Sequence, residues 1–196
     1  MINIISPNTF STTLWKNGKG ETTELAISPN STIDEFQWRL SIASVSEDGV
    51  FSDFRGYCRN LILLSGNGIT LTHTNTVTQE TKIDNLSQAL SFSTFDGGCE
   101  TYGVLTSGAI KDFNLMHNPK HYSALVKPLN SQQTIEIDEA DICFVFPLNN
   151  EAVLVNNNTQ EEITLPQGHL MKLISPQTSN YVLTGEQLIV IYLNKL

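Results

Sequence analysis

Two arginines bracket one loop in the stretch from Phe36 to Arg59, FQWRLSIASVSEDGVFSDFRGYCR, and their chemistry is the most specific the chain offers. The first half alternates with period two, which puts Trp38, Leu40 and Ile42 on one face of a strand and Arg39, Ser41 and Ala43 on the other. An arginine and a serine beside small residues suit neither bulk water nor a packed core; they suit the lining of a cavity open at one end. Glu47-Asp48-Gly49 then breaks the strand, and Phe51, Ser52 and Phe54 lie on a loop ahead of Arg59, which opens the next strand. Guanidinium forks recognise carboxylates through paired hydrogen bonds, so the expected ligand is a small anion such as a dicarboxylate or an N-acyl amino acid. Ser41, Ser52, Asn17 and Asn114 are candidates for its neutral hydrogen bonds, and Trp15, Phe54 and Met116 for the walls. The competing reading is structural, with the arginines held by Glu24, Asp48 or Asp53.

Other chemistries have weaker footing. The four histidines, His73, His117, His121 and His169, form no His-x-His pair, and Pro119 interrupts the i, i+4 spacing of His117 and His121. No metal or other cofactor is expected. There is no G-x-S-x-G elbow, and Cys58, Cys99 and Cys143 are odd in number and far apart, with no CxxC, so they read as reduced and mostly buried. His73 ends a strand with Ile69 and Leu71 and looks into a barrel or its rim. The rival to a binding protein is an enzyme without a cofactor, an isomerase, epimerase or hydrolase, using Glu24 or Asp48 as base near an arginine.

The elements that must position these residues are strands. Charged residues make up 16% of the 196 and hydrophobic ones 40%, so Asn, Ser, Thr and Gln supply the polar surface, and Asn, Ser and Thr compete with a helical backbone. Strands are read near Ile2–Ile5, Phe10–Trp15, Thr22–Ile27 and Phe36–Val45, and Glu24 falls where it can pair with Arg39 across strands. Asn60 to Leu64 is apolar on both faces, as a central strand is, and Ser65-Gly66-Asn67-Gly68 predicts a tight hairpin into Ile69–His73. Short strands follow near Ala89–Phe92 and Thr101–Thr106. Asp112–Met116 alternates poorly and is read as a helical turn or kinked strand. In the second half, Val153-Leu-Val-Asn, Ile163, Leu170 and Tyr181-Val-Leu-Thr-Gly185 echo Ile69-Thr-Leu-Thr, Ile83, Leu90 and Tyr102 to Gly108 in order, which implies two related antiparallel sandwiches or barrels.

Several ordered motifs resemble those of the HutD/Ves family: Trp15-Lys-Asn-Gly-Lys-Gly-Glu-Thr-Thr-Glu24, Phe36 to Ala43, Asp48-Gly-Val-Phe-Ser-Asp-Phe54, Gly56, Arg59, Gly66 to Leu71, and Asp112-Phe-Asn-Leu-Met116. The resemblance implies an all-β bicupin fold, two jelly-roll lobes in one chain. They are expected at 1–118, carrying the ligand pocket, and 119–196, with the first strands free to exchange between lobes. It further implies a small-molecule binder that moderates histidine utilisation or a stress response, with formylglutamate or formate as ligand. The chain departs from the family pattern at Asn17-Gly18-Lys19-Gly20, which lacks a third glycine, and at His117-Asn118-Pro119, where basic residues are common.

The formal net charge of −9, from 11 basic and 20 acidic residues, leaves no basic stripe for nucleic acid or an anionic membrane surface. The N-terminus has no basic leader and no stretch approaches the roughly 20 apolar residues of a membrane span, so the expected location is cytoplasmic. The expected partner is a small anionic metabolite; the length is ample for a core, so a homodimer is allowed but not required.

Overall fold

The computed structural model describes residues 1–15, 18 and 20–196, which form strands and one 3-10 turn, Pro7–Thr9. The chain forms two compact units: a first lobe of Phe10–His121, and a second lobe of Met1–Thr9 with Tyr122–Leu196. The opening strand thus belongs to the second lobe.

The first lobe contains β2 (Ser11–Leu14), β3 (Gly20–Ile27), β4 (Trp38–Val45), β5 (Gly49–Val50), β6 (Cys58–Ser65), β7 (Ile69–Thr74), β8 (Thr81–Leu86), β9 (Phe92–Asp96), β10 (Glu100–Leu105) and β11 (Ile110–His117). They make a six-stranded sheet in the order β2-β3-β4-β11-β6-β9 and a four-stranded sheet in the order β5-β10-β7-β8. The second lobe contains β1 (Ile2–Ile5), β12 (Tyr122–Leu129), β13 (Gln133–Glu136), β14 (Ile142–Pro147), β15 (Ala152–Asn156), β16 (Glu162–Leu165), β17 (Leu170–Ile174), β18 (Tyr181–Gly185) and β19 (Leu188–Lys195). Its sheets run β1-β17-β14-β19-β12 and β13-β18-β15-β16.

Every pairing among β4 to β11 has a counterpart among β12 to β19. β4 pairs with β11 as β12 does with β19, β5 with β10 as β13 with β18, and β6 lies between β9 and β11 as β14 lies between β17 and β19. The echo read in the sequence is therefore the topology of an eight-stranded jelly roll written twice. Each lobe has its own apolar centre, Ala43, Val45, Leu61, Leu63, Ile69 and Leu71 among the residues of the first, and Val145, Leu154, Leu165 and Leu183 among those of the second.

Three expectations are corrected. Ser65–Gly68 is not a hairpin: β6 pairs with β9 and β11, whereas β7 pairs with β8 and β10, so this turn carries the chain from one sheet to the other. Gly66 and Gly68 have φ of +101° and +116°, and a Cβ on Gly66 would lie 2.7 Å from the Ala109 carbonyl oxygen. The strand placed at Ala89–Phe92 begins only at Phe92, because Leu90 adopts a left-handed φ of +67°. For Asp112–Met116 the helical-turn reading falls and the strand reading holds: the segment is part of β11, buried on both faces from Asp112 to His117, which hides its alternation, and the register shift against β6 leaves Leu64 of β6 as the extra residue. The cysteines are free, but only Cys143 is buried; Cys58 and Cys99 are half-buried.

Candidate functional site

Cross-strand partners share a face of a sheet, so the ladder registers fix which side chains line the first lobe. One rung carries Arg39, Met116, Arg59 and Phe95, from β4, β11, β6 and β9. The next carries Glu24, Ser41, Asn114, Leu61 and Ser93, and a third Thr22, Ala43, Asp112 and Leu63. This is the face whose Ala43, Leu61 and Leu63 belong to the lobe's core. Arg39 and Arg59 are therefore separated by β11 alone, two strand spacings or about 9.5 Å at the backbone, with Met116 between them.

Arg39, Ser41, Arg59, Asn114 and Met116 are all buried. The Arg39 Nε–H donates to Glu24 Oε2 at 2.8 Å, realising the pair expected from the strands; the Glu24 side chain is 32% exposed. Arg59 is wrapped by aromatic rings, its guanidinium carbon lying 5.1 Å from the Phe95 centroid and 5.5 Å from those of Phe51 and Phe54. The Phe51–Tyr57 loop is held there by backbone bonds from Phe51 N–H to Thr101 O, Phe54 N–H to Gly97 O and Gly97 N–H to Tyr57 O. Glycine is required at 97, since a Cβ would lie 2.5 Å from the Phe54 carbonyl. Arg59 donates from Nη1 to the Ser52 carbonyl at 3.4 Å and from Nη2 to Asn114 Oδ1 at 3.1 Å, while its buried Nε–H has no protein partner. Burial pulls its pKa down to about 10, against the attraction of Asp112 and reinforced by Arg39.

Asn114 passes this bond on, donating from Nδ2 to Asp112 Oδ1. Asp112 is fully buried and its second oxygen is unpartnered. Burial pushes the carboxyl up to about 7, outweighing Arg59 and the Asn114 hydrogen bond, which favour the charged form. A carboxyl whose folded pKa is raised contributes stability that is fully present below its unfolded value, about 4, and lost as pH rises through about 7. The thermal midpoint of the parent should accordingly fall from pH 5 to pH 8 relative to that of Asp112→Asn, as thermal melts across that range will test.

His73 faces the same interior from β7, stacked on Phe95 at 4.1 Å. Its Nδ1 is 2.9 Å from Thr101 Oγ1, and its Nε2 is 3.3 Å from Ser93 Oγ and 3.4 Å from Asp84 Oδ2. Burial lowers its pKa despite Asp84, so the ring is neutral at pH 7 and fully engaged.

The remaining expectations divide. Phe54 reaches Arg59, but Ser52 does so through its backbone carbonyl, the residue itself being exposed. Trp15 is displaced from the arginines: its Nε1–H donates to Thr22 Oγ1 at 2.8 Å, and Thr22 pairs with Ala43, four residues or roughly 13 Å along β4 from Arg39. Asn17 lies outside the described residues. Asp48 is committed elsewhere, accepting the Leu105 N–H at 2.8 Å. Asp112, Phe51 and Phe95 were missed as site residues, although Asp112 stands in a motif the sequence singles out. Two surface depressions, one of about 230 Å³ near Gly20 and Ser44 and one of about 200 Å³ near Arg55 and Cys99, contain none of the arginine cluster. Among the described residues no three His, Cys, Asp or Glu side chains form a metal-ligating group, and no helix is long and apolar enough to cross a membrane.

The second lobe fills the equivalent rungs differently. Cys143, opposite Leu173 and Tyr192, occupies the place of Arg59, and Val190 and Leu188 those of Asn114 and Asp112. Lys127, opposite Val190 in the place of Ser41, lies 5.1 Å from the Tyr192 ring centroid but is 41% exposed and paired with Asp138, so among the described residues these rungs carry no buried arginine.

A family model described as HutD matches residues 7–191. An uncharacterized 21.2 kDa protein in the hutC 3' region of Pseudomonas putida is 39% identical over 56% of this chain and 55% of its own length. Protein Ves of Citrobacter koseri is 34% identical over 67% of this chain and 66% of its own. The matched stretches thus span about half to two thirds of these curated relatives. The formate-condition structure of HutD from Pseudomonas fluorescens SBW25 superposes with a TM-score of 0.82 over the whole of both chains at 25% identity.

Proposed function

The chain belongs to the HutD family, and from that premise we propose that its first lobe binds a small carboxylate on Arg59 and Arg39, acting as a metabolite-responsive protein that moderates histidine utilisation or a stress response. The observation that carries this reading is Arg59, a buried cation with an unpartnered Nε–H, held in an aromatic collar on the same rung as a second buried arginine. A desolvated guanidinium is costly unless an anion completes its hydrogen bonds. Formate and N-formylglutamate are the first ligands to try: the HutD structure from Pseudomonas fluorescens was obtained in a formate condition, and the relative from Pseudomonas putida is named for its place beside hutC. Occupancy is read out by the segment 46–59, because Arg59 holds the Ser52 carbonyl.

The experiment is the thermal midpoint of metal-stripped protein against formate, N-formylglutamate, glutamate, urocanate, histidine and divalent metals, since a ligand selective for the folded state raises stability by mass action. A rise with carboxylates alone supports the reading; a rise with metals alone overturns it. Glu24→Gln removes the carboxylate that competes for Arg39, and because Glu24 is partly exposed its loss should cost under about 1 kcal/mol of stability. Carboxylate affinity should rise severalfold in this variant, measured by the same melts.

One observation favours an enzyme instead: Asp112, with a pKa of about 7, is poised for proton transfer at neutral pH. Turnover of a bound carboxylate that vanishes in Asp112→Asn would establish that second reading.

A further inference from the structure

Arg59 and Asp112 are joined through a single side chain. Arg59 Nη2–H donates to Asn114 Oδ1 at 3.1 Å, and Asn114 Nδ2–H donates to Asp112 Oδ1, leaving Arg59 Nε at one end of the chain and Asp112 Oδ2 at the other, both buried and both without a protein partner. We propose that the first lobe binds its carboxylate together with a proton, the proton being taken up by Asp112 as the anion engages Arg59. This rests on the carboxylate-binding reading of the site and specifies how that site responds to pH.

The argument is one of charge in a closed space. On the strands beside Asp112, β4 brings Arg39, which is paired with Glu24 of β3, and β6 brings Arg59. The facing sheet brings His73 from β7, neutral, and Asp84 from β8, which is bound by Lys82 at 2.8 Å. The inner positions of β9 and β10 bring Ser93, Phe95, Thr101, Gly103 and Leu105, and β5 brings Gly49; none of these titrates. Arg59 is thus the cation that sustains Asp112 as a carboxylate. A second carboxylate drawn onto Arg59 neutralises that support and repels Asp112 directly, and two anions sharing one buried site raise the pKa of one of them. Because burial already holds Asp112 at about 7, a modest further rise carries it from half-ionised to protonated under physiological conditions.

The sign follows from linkage. A group whose pKa rises on binding takes up a proton, so affinity is greatest below the free-state value of about 7 and falls as pH rises through it. Ligand carboxylates, with ordinary values near 4, stay ionised throughout.

The test is isothermal titration of the parent and of Asp112→Asn with formate and with N-formylglutamate at pH 6, 7 and 8, in two buffers of different ionisation enthalpy. The variant keeps an oxygen for Asn114 to donate to, and the dependence on pH and buffer is read in the parent whether or not the variant folds. Parent affinity is expected to fall about tenfold from pH 6 to pH 8, with proton uptake at pH 7 seen as a buffer-dependent heat, and both effects are expected to disappear in Asp112→Asn. Binding by the parent that is equally tight at pH 6 and pH 8 with no buffer-dependent heat would overturn the proton link and leave the binding reading standing. A pH slope that persists in a folded Asp112→Asn would overturn it by placing the proton elsewhere. Failure of both probes to bind the parent at every pH would overturn the carboxylate reading and the proton link together.

Discussion

Arg59→Met is expected to fold, to melt at or above the parent's midpoint, and to bind small carboxylates at least about 100-fold more weakly. The three parts of that result have separate causes. Methionine matches the length of the arginine stem and is at home among Phe51, Phe54 and Phe95, whose rings now surround a guanidinium. Replacing a buried charge by an apolar group of similar volume is often neutral or stabilising, because the desolvation penalty disappears with the charge. Asn114 loses one donor to its Oδ1 and Asp112 loses its supporting cation, so the carboxyl moves further toward its neutral form. Binding suffers differently. Truncating one partner of a buried hydrogen-bonded charge pair costs on the order of 2–5 kcal/mol, and about 2.7 kcal/mol corresponds to a hundredfold. Thermal melts and calorimetric titration measure the two effects on the same sample; a variant that loses stability and keeps its affinity would make Arg59 a structural residue.

Gly66→Ala should destabilise the first lobe by on the order of 3 kcal/mol, read as a fall in the urea midpoint at unchanged slope. At a φ of +101° an alanine is strained by itself, and its Cβ would sit 2.7 Å from both the Ala109 carbonyl oxygen and Ile110 Cγ2. Gly108→Ala is the control: φ is +69° there, but nothing lies within 4 Å of the new Cβ, so only the conformational cost remains, about 1 kcal/mol. Similar losses in the two variants would mean that the close approach at Gly66 is unimportant to the crossing between sheets.

That turn also marks where the sequence stops being informative. Ser65-Gly66-Asn67-Gly68 has hairpin chemistry, and the glycines do adopt the positive φ that such turns need. Which strand receives the chain afterwards is decided by the partners of β6, namely β9 and β11, which lie about 30 and 50 residues further on. Strand alternation, by contrast, placed Arg39 and Ser41 on the inner face and Glu24 against Arg39, because period and neighbouring register are local properties. The repeat is legible through β7, β8 and β10, whose order recurs in β15, β16 and β18, whereas Leu90, read against Leu170, lies outside β9. Trp15 was drawn toward the pocket by its glycine-rich neighbour, whereas the register of β3 on β4 places it at the distal end of the sheet. Asp112 could not be set beside Asn114 from the sequence because β11 is buried on both faces from Asp112 to His117, so no polar–apolar alternation marks its inner face. Phe95 needed the pairing of β9 with β6 before it could be set against Arg59.

Selection of the first lobe follows from the same comparison of rungs. The two lobes share one topology but differ in their interiors, one holding the buried Arg59, Asn114 and Asp112 and the other the buried Cys143, Val190 and Leu188 beside the part-exposed Lys127. The apolar set is the simpler way to fill a barrel. A buried arginine and carboxyl reduce stability relative to that alternative, a cost that is understandable where they meet a ligand.

The most direct test is the Nε–H resonance of Arg59, identified by its absence in Arg59→Met, followed through a titration of the parent with formate and then N-formylglutamate. The expected result is a saturable shift of that resonance at the same midpoint as the calorimetric binding curve, as a carboxylate oxygen accepts the Nε–H, which no protein group engages. A resonance that stays fixed while calorimetry reports binding would put the anion elsewhere and contradict the assignment of the site to Arg59.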